Sequence, residues 1–152
     1  MGDVLKLSWD NIDFLTQCLA EQIKNRNMQF DCIIALGRGG LIPGAMLSYK
    51  LDIKNLQNFG INTRHDDGKY LETLIYQKPS AITGNVLVVD DINDSGKTFE
   101  SINSLIKSEY PNVNELLYCS LTTRHNTTFF NDNTISGEII NTSDWLVFPW
   151  DK

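Results

Sequence analysis

The sequence predicts an α/β protein in which helices flank a central, mostly parallel sheet, and three observations carry that expectation. Val86-Leu87-Val88-Val89 shows no polar alternation, as expected of a strand covered on both faces. Cys32-Ile33-Ile34-Ala35-Leu36 is a second run of the same kind. Each run passes through a turn rich in small residues into a helical pattern, the strand-loop-helix unit from which parallel sheets are wound. At 152 residues the chain is about one domain long and can bury a sizeable core, so residues 1–152 are expected to form a single domain.

Leu5 to Trp9 reads as a short strand. Asp10 is then the expected N-cap of a helix running to about Lys24, with Ile12, Leu15, Leu19 and Ile23 on one apolar stripe. After the strand at Cys32 to Leu36 comes Gly37-Arg38-Gly39-Gly40-Leu41-Ile42-Pro43-Gly44, and a helix is expected over Ala45 to Leu51. Four glycines in eight residues cost chain entropy, which points to unusual backbone angles or close approach to a ligand. With Arg38 as its one charge, the loop suits a diphosphate. Asn55 to Thr63 and Thr73 to Tyr76 are strand-like and flank a polar stretch, Arg64 to Tyr70, giving a hairpin whose tip is either a mobile lid or ordinary surface.

The strand at Val86 to Val89 runs into Asp90-Asp91-Ile92-Asn93-Asp94-Ser95-Gly96-Lys97-Thr98, ahead of a helix expected over Phe99 to Ser108. Ligands of open α/β sheets bind at strand carboxyl ends, and a helix start favours an anion there. A Walker A loop would need glycine where Asp91 stands, and carboxylates in that loop would repel a polyphosphate. A receiver domain or a Walker B strand explains the acids but not the Asp-Ser-Gly-x-Thr turn. Tyr110-Pro111-Asn112 ends the helix, Glu115 to Thr122 is a further strand opening on the same crevice, and Glu138 to Ile140 is a short one. Asp144 to Asp151 is an aromatic cluster, either a plug of the core or a stacking surface.

Composition excludes several classes. A net charge of −6 and a pI near 4.8 argue against a nucleic-acid or anionic-membrane partner, leaving little room for a basic face beyond a local basic site. No run reaches the roughly 18 apolar residues of a membrane span, and no signal-peptide pattern opens the chain, so a cytoplasmic protein is expected. Cys18, Cys32 and Cys119 lack C-x-x-C spacing and read as reduced thiols of the core; His65 and His125 lack partners at metal-ligand spacing and read as surface residues unless the loops carrying them close over the site.

Val86 to Thr98 closely resembles the phosphoribosyl pyrophosphate (PRPP) motif of type I phosphoribosyltransferases. The loop at Gly37 to Gly40 is similar to that family's pyrophosphate loop, and the Asp-Trp-x-x-x-Pro-Trp-Asp ending is similar to that of xanthine-guanine and hypoxanthine phosphoribosyltransferases. The resemblance implies transfer of the phosphoribosyl group of PRPP to a 6-oxopurine, in a sheet with a hairpin lid and a small C-terminal hood. It assigns Asp90 and Asp91 to the ribose hydroxyls and, with Asp151, to Mg²⁺. Ser95, Gly96, Lys97 and Thr98 take the 5′-phosphate, Arg38 and Gly39 the pyrophosphate, and Asp94 becomes the general base. Trp145 would stack on the purine, the backbone of Leu146 would meet its edge, and Thr123 or Arg124 would replace a family lysine that contacts the 6-oxo group. It further implies a cis peptide at Gly37-Arg38 and a homodimer or homotetramer. Related bacterial enzymes continue beyond the Pro-Trp-Asp ending, and contacts made by such a tail are expected to be missing. A PRPP-binding regulator of the same fold and a transferase for a non-purine acceptor are the competing readings.

Overall fold

The structure, a computed structural model, describes residues 2–141 and 143–151. A six-stranded sheet has β2 (Cys32–Leu36), β5 (Gly84–Asn93), β6 (Val113–Arg124) and β7 (Thr134–Ile140) side by side and parallel. On its other edge β3 (Leu56–Asp66) runs parallel to β2 and pairs antiparallel with β4 (Lys69–Gln77). A separate parallel pair joins β1 (Val4–Lys6) to β8 (Trp145–Val147).

The unbroken apolar runs follow from coverage on both faces. Leu87 and Val89 point toward α1 (Trp9–Lys24) and α2 (Leu41–Leu51), joining Ile12, Leu19 and Leu47. Val86 and Val88 point the other way, toward Phe99, Ile102 and Ile106 of α3 (Lys97–Glu109). All four strand residues are fully buried, which at about 25 cal/mol per Å² of apolar area makes this strand the chief hydrophobic anchor. The cysteines are free thiols; burial pushes Cys32 up to about 11 and Cys119 further up, so neither is a ready nucleophile.

Several boundaries differ from expectation for local reasons. Ser8, not Asp10, caps α1: its hydroxyl accepts from Asn11 N at 3.1 Å while the Asn11 side chain accepts from Ser8 N at 2.8 Å. The first strand therefore stops at Lys6, and Trp9 opens the helix. Helix α2 starts at Leu41 rather than Ala45, because Pro43 falls in its first turn, where a missing N–H is harmless. Most of the expected tip, 64–70, is paired strand, with Arg64 opposite Glu72 and salt-bridged to it at 3.0 Å. Only Asp67 and Gly68 turn, with φ of 52° and 76°. The described residues contain no cis peptide; Gly37 turns the chain instead with φ +53°.

Candidate active site

Strands β2 and β5 are neighbours whose connections leave in opposite directions, β2 through α2 to β3 and β5 through α3 to β6. Such a switch point leaves a crevice at the strands' carboxyl ends. A cleft of about 830 Å³ lies there, lined by Arg38, Gly39, Asp90, Asp91, Thr98 and Asp151 among others. A second cleft of about 400 Å³, lined by His65, Tyr70, Asp94, Ser95 and Gly96, shares Thr63, Asp90 and Thr98 with the first.

The glycine-rich loop is held from below. Gly37 N donates to Phe59 O at 2.7 Å, and Asn58 Nδ2 donates to the carbonyls of Ala35 and Gly37 at 3.0 Å each. A methyl group on Gly39 would overlap the Asp91 carboxylate, and one on Gly40 would overlap the Val89 carbonyl. Both glycines thus let the loop lie directly on β5. No side chain caps α2 at Gly40; Leu41 N donates to Arg38 O at 3.0 Å, Gly44 N to Gly40 O at 2.8 Å, and Pro43 has no N–H to satisfy.

Strand β5 runs on through Asn93, so Asp90 and Asp91 belong to the strand and do not lie beyond it. Asp91 N donates to Asp90 Oδ1 at 2.9 Å, and Ile92 N to Asp91 Oδ1 at 2.8 Å. Burial holds Asp90 well above the usual carboxylate range, and the Asp91 charge adds to this. Asp91 is also raised, chiefly by burial and further by the Asp151 charge. Burial thus raises both carboxyls, the Asp91 charge adds to the shift of Asp90, and the bond to Asp90 works against that of Asp91. Asp151 is anchored beside them, its Oδ2 accepting from Phe148 N at 2.9 Å.

Asp94 to Thr98 forms the expected turn into α3, with Gly96 at φ +92°. Its frame is the loop after β6: Thr128 N donates to Ser95 O at 3.0 Å, and Asn93, almost fully buried, donates to Phe129 O at 2.8 Å and accepts from the Thr127 hydroxyl at 2.9 Å. Lys97 Nζ lies 3.6 Å from Glu100. The hairpin reaches this turn directly, Thr63 Oγ1 lying 2.7 Å from Thr98 Oγ1 and Tyr70 OH 3.1 Å from Ser101 Oγ. Asn58, Thr63, Tyr70 and Asn93 were marked in the sequence only as parts of wider stretches, because ordinary polar residues gain an individual role only through partners distant in the chain. His65, read as a surface residue, is exposed yet lines the second cleft.

At the far end the expected residues separate. Thr123 is buried, its hydroxyl bonded to Ser120 Oγ at 2.8 Å, and it lines neither cleft. Arg124 donates from Nε to Asp94 Oδ1 at 3.1 Å and from Nη2 to Asp144 O at 2.6 Å. Trp145 is 70% exposed, whereas the Leu146 side chain is in the core. Trp145 N donates to Asp3 O and Leu7 N to Val147 O, so by parallel-ladder alternation the amide and carbonyl of Leu146 face away from β1. Trp150, at the first cleft, stacks on Phe148 with centroids 5.1 Å apart.

A metal ion would not find a complete cage here: among the described residues no group of three or more His, Cys, Asp or Glu side chains is arranged to hold one. Two strand carboxylates facing a large polar cleft do fit Mg²⁺, which is commonly held by one or two carboxylates plus substrate phosphates and water. No helix among the described residues is long and apolar enough to cross a membrane.

The family model for the phosphoribosyl transferase domain matches residues 8–151. Xanthine-guanine phosphoribosyltransferase of Ruegeria sp. (strain TM1040) is 27% identical over 156 residues, covering 95% of this chain and 84% of that protein. Among solved structures, purine phosphoribosyltransferase from Pyrococcus horikoshii Ot3 superposes with a TM-score of 0.80 at 28% identity, over 99% of this chain and 95% of that one. A hypothetical protein from Neisseria gonorrhoeae with bound ppGpp gives 0.83 at 26% identity, over 100% and 91%.

Proposed function

The chain belongs to the phosphoribosyl transferase domain family, and from that premise we propose that it moves the 5-phosphoribosyl group of PRPP onto a 6-oxopurine, hypoxanthine, guanine or xanthine, releasing pyrophosphate. The observation carrying this reading is the adjacency of paired carboxylates and a glycine loop with Arg38 around one cleft to the turn at Asp94 to Thr98 in a second cleft that shares Thr63, Asp90 and Thr98 with it. The name of the Ruegeria relative supports the choice of base.

In this reading the backbone amides at Ser95 to Thr98 and the start of α3 hold the 5′-phosphate, with Lys97 adding charge. Asp90 and Asp91 hold the ribose hydroxyls. As the glycosidic bond to pyrophosphate breaks, positive charge grows on the sugar ring, and carboxylates at the cleft floor oppose it. Arg38 and the amides of the glycine loop take the negative charge of the departing pyrophosphate. Mg²⁺, held by Asp90 and Asp91 without Asp151, which completes no three-residue group with them, would supply charge neutralisation of the diphosphate when bound. Trp145 stacks on the purine, an interaction of roughly 1–3 kcal/mol. The Leu146 amide and carbonyl meet the base edge, and Asp94 accepts the ring proton. The hairpin from β3 to β4 closes over the phosphate turn and keeps water from the sugar cation. A cytoplasmic homodimer or homotetramer completes the reading.

An assay of PRPP consumption with hypoxanthine, guanine, xanthine, adenine and the pyrimidines uracil and orotate tests it. Turnover of 6-oxopurines is expected. Turnover of no base identifies the PRPP-binding regulator, and turnover of a pyrimidine alone identifies a different acceptor.

A further inference from the structure

We propose that Arg124 is a positioning residue that fixes the spacing between Asp94 and Trp145 and does not itself read the base. The inference rests on the purine-transfer reading above.

Arg124 ends β6 with its side chain only 13% exposed, while the Asp94 side chain is 64% exposed. The donors Nε and Nη2 lie on one edge of the planar guanidinium and engage Asp94 Oδ1 and Asp144 O respectively. One rigid group thereby holds a carboxylate and a carbonyl side by side, which a lysine ammonium on a flexible stem does not reproduce. The Asp144 carbonyl belongs to the peptide that carries Trp145 N, and that N donates to Asp3 O at 2.8 Å. Asp144 is fastened again through its carboxylate, which accepts from Asp3 N at 3.0 Å. The peptide at the root of the aromatic platform is therefore clamped from β6 on one side and from the segment leading into β1 on the other.

Asp94 opens the phosphate turn, and Trp145 stands on a different sheet. Arg124 is the direct side-chain bridge between their two segments. A base stacked on Trp145 that gives its ring proton to Asp94 needs that spacing held, since a displacement of about 1 Å can cost about a hundredfold in rate. Arg124 lines neither cleft, and the two donors on that edge point at Asp94 and Asp144 rather than into them.

The test measures kcat and KM for hypoxanthine, guanine, adenine and PRPP in the parent, Arg124→Lys, Arg124→Ala, Asp94→Asn and the Asp94→Asn/Arg124→Ala double variant. Arg124→Ala is expected to lower kcat/KM by about 10- to 100-fold, by the same factor for every purine, with KM for PRPP within about threefold of the parent. Arg124→Lys is expected to recover little of that loss, and Arg124→Ala to cost much less in the Asp94→Asn background, as coupled residues do. Where Arg124→Ala fails to fold, Arg124→Lys carries the same comparison. A loss confined to 6-oxopurines, so that adenine gains on hypoxanthine, overturns the proposal by making Arg124 a reader of the base; so do full additivity with Asp94→Asn and full recovery by Arg124→Lys. A parent that turns over no purine defeats the transfer reading and this one with it, whereas a working parent with unequal losses defeats the positioning role alone.

Discussion

The loops after β2 and β5 do the same job by different means. Both leave the carboxyl end of a buried parallel strand, both enter a helix with no side-chain cap, and both border the shared clefts. The loop at Gly37 to Gly40 depends on missing side chains: Gly39 and Gly40 sit so close to β5 that a methyl would strike the Asp91 carboxylate or the Val89 backbone. The loop at Asp94 to Thr98 depends on present ones, with Asp94 held by Arg124 and the carbonyl of Ser95 by Thr128. Its single glycine, Gly96, answers a torsional demand, φ +92°, as well as a steric one at Phe129. Glycine in such loops therefore serves two separate needs, and sequence spacing alone does not say which.

The largest expected effect lies between the loops. Asp90→Asn with Asp91→Asn is expected to lower transfer by roughly 10²–10³-fold or more, since charge set against a developing cation is lost. Stability is expected to move the other way. Both carboxyls are raised in the folded state, so the free protein holds protons that the unfolded chain releases above its carboxylate pKa near 4, and folding stability falls as pH rises through that window. Asparagine has no proton to lose. The double variant should melt higher than the parent at pH 7 and about level with it below pH 4; a lower Tm at pH 7 would mean that the carboxylates hold the loops together.

Next comes the comparison of the glycines themselves. Gly40→Ala drives a methyl into the Val89 carbonyl and the Leu36 backbone, neither of which can swing aside, and is expected to cost about 2–4 kcal/mol in urea unfolding. Gly96→Ala meets left-handed torsion worth about 1–2 kcal/mol as well as contacts from the Phe129 backbone and the Thr127 hydroxyl, in a loop that Asn93 fastens. Equal costs would erase the distinction between the loops. Gly39→Ala differs from both, because the displaced atoms are the Asp91 side chain; PRPP affinity is expected to fall about tenfold with little change in Tm.

The smallest effect is expected at the hairpin. Tyr70→Phe removes the hydroxyl that meets Ser101 and Thr73, a bond worth about 0.5–1.5 kcal/mol, so limited proteolysis of the tip should quicken a few-fold in the free protein. PRPP, Mg²⁺ and an unreactive base analogue should restore protection. Cleavage that is equally fast with and without them would remove the hairpin from the site.

What could be read in advance follows the same division. Strand β2, the apolar half of β5 and the turn from Asp94 to Thr98 into α3 were legible as structure, because burial on two faces and a small-residue turn before a helix both leave contiguous signatures. Arg124, as the nearest cation, was the first candidate for the family lysine's place and Thr123 the alternative, since adjacent strand residues cannot be separated before their faces are known; the fold buries the Thr123 hydroxyl against Ser120 and carries Arg124 to Asp94. The cap was misplaced at Asp10 because aspartate is a common capping residue, while the reciprocal bonds of Ser8 and Asn11 decide the start. Asn58 and Asn93, which fasten the two loops, were invisible, since nothing separates a structural asparagine from a surface one until its partners are found.

The pairing of β1 with β8 has a consequence for the order of assembly. Asp3 and Asp144, which join the two segments, lie 141 positions apart in the chain. At roughly 5–20 residues per second on a ribosome, the first strand waits on the order of ten seconds for its partner to be made. During that wait the helices and the central strands can already bury one another, because their contacts are nearer in sequence. The platform that carries Trp145 is thus the last part of the site to form during synthesis, and as a three-residue pair at one end of the molecule it is expected to be the first to open. Amide exchange at Trp145 should accordingly run ahead of exchange at Val88, and under mild denaturant the two-stranded pair should open before the six-stranded sheet gives way.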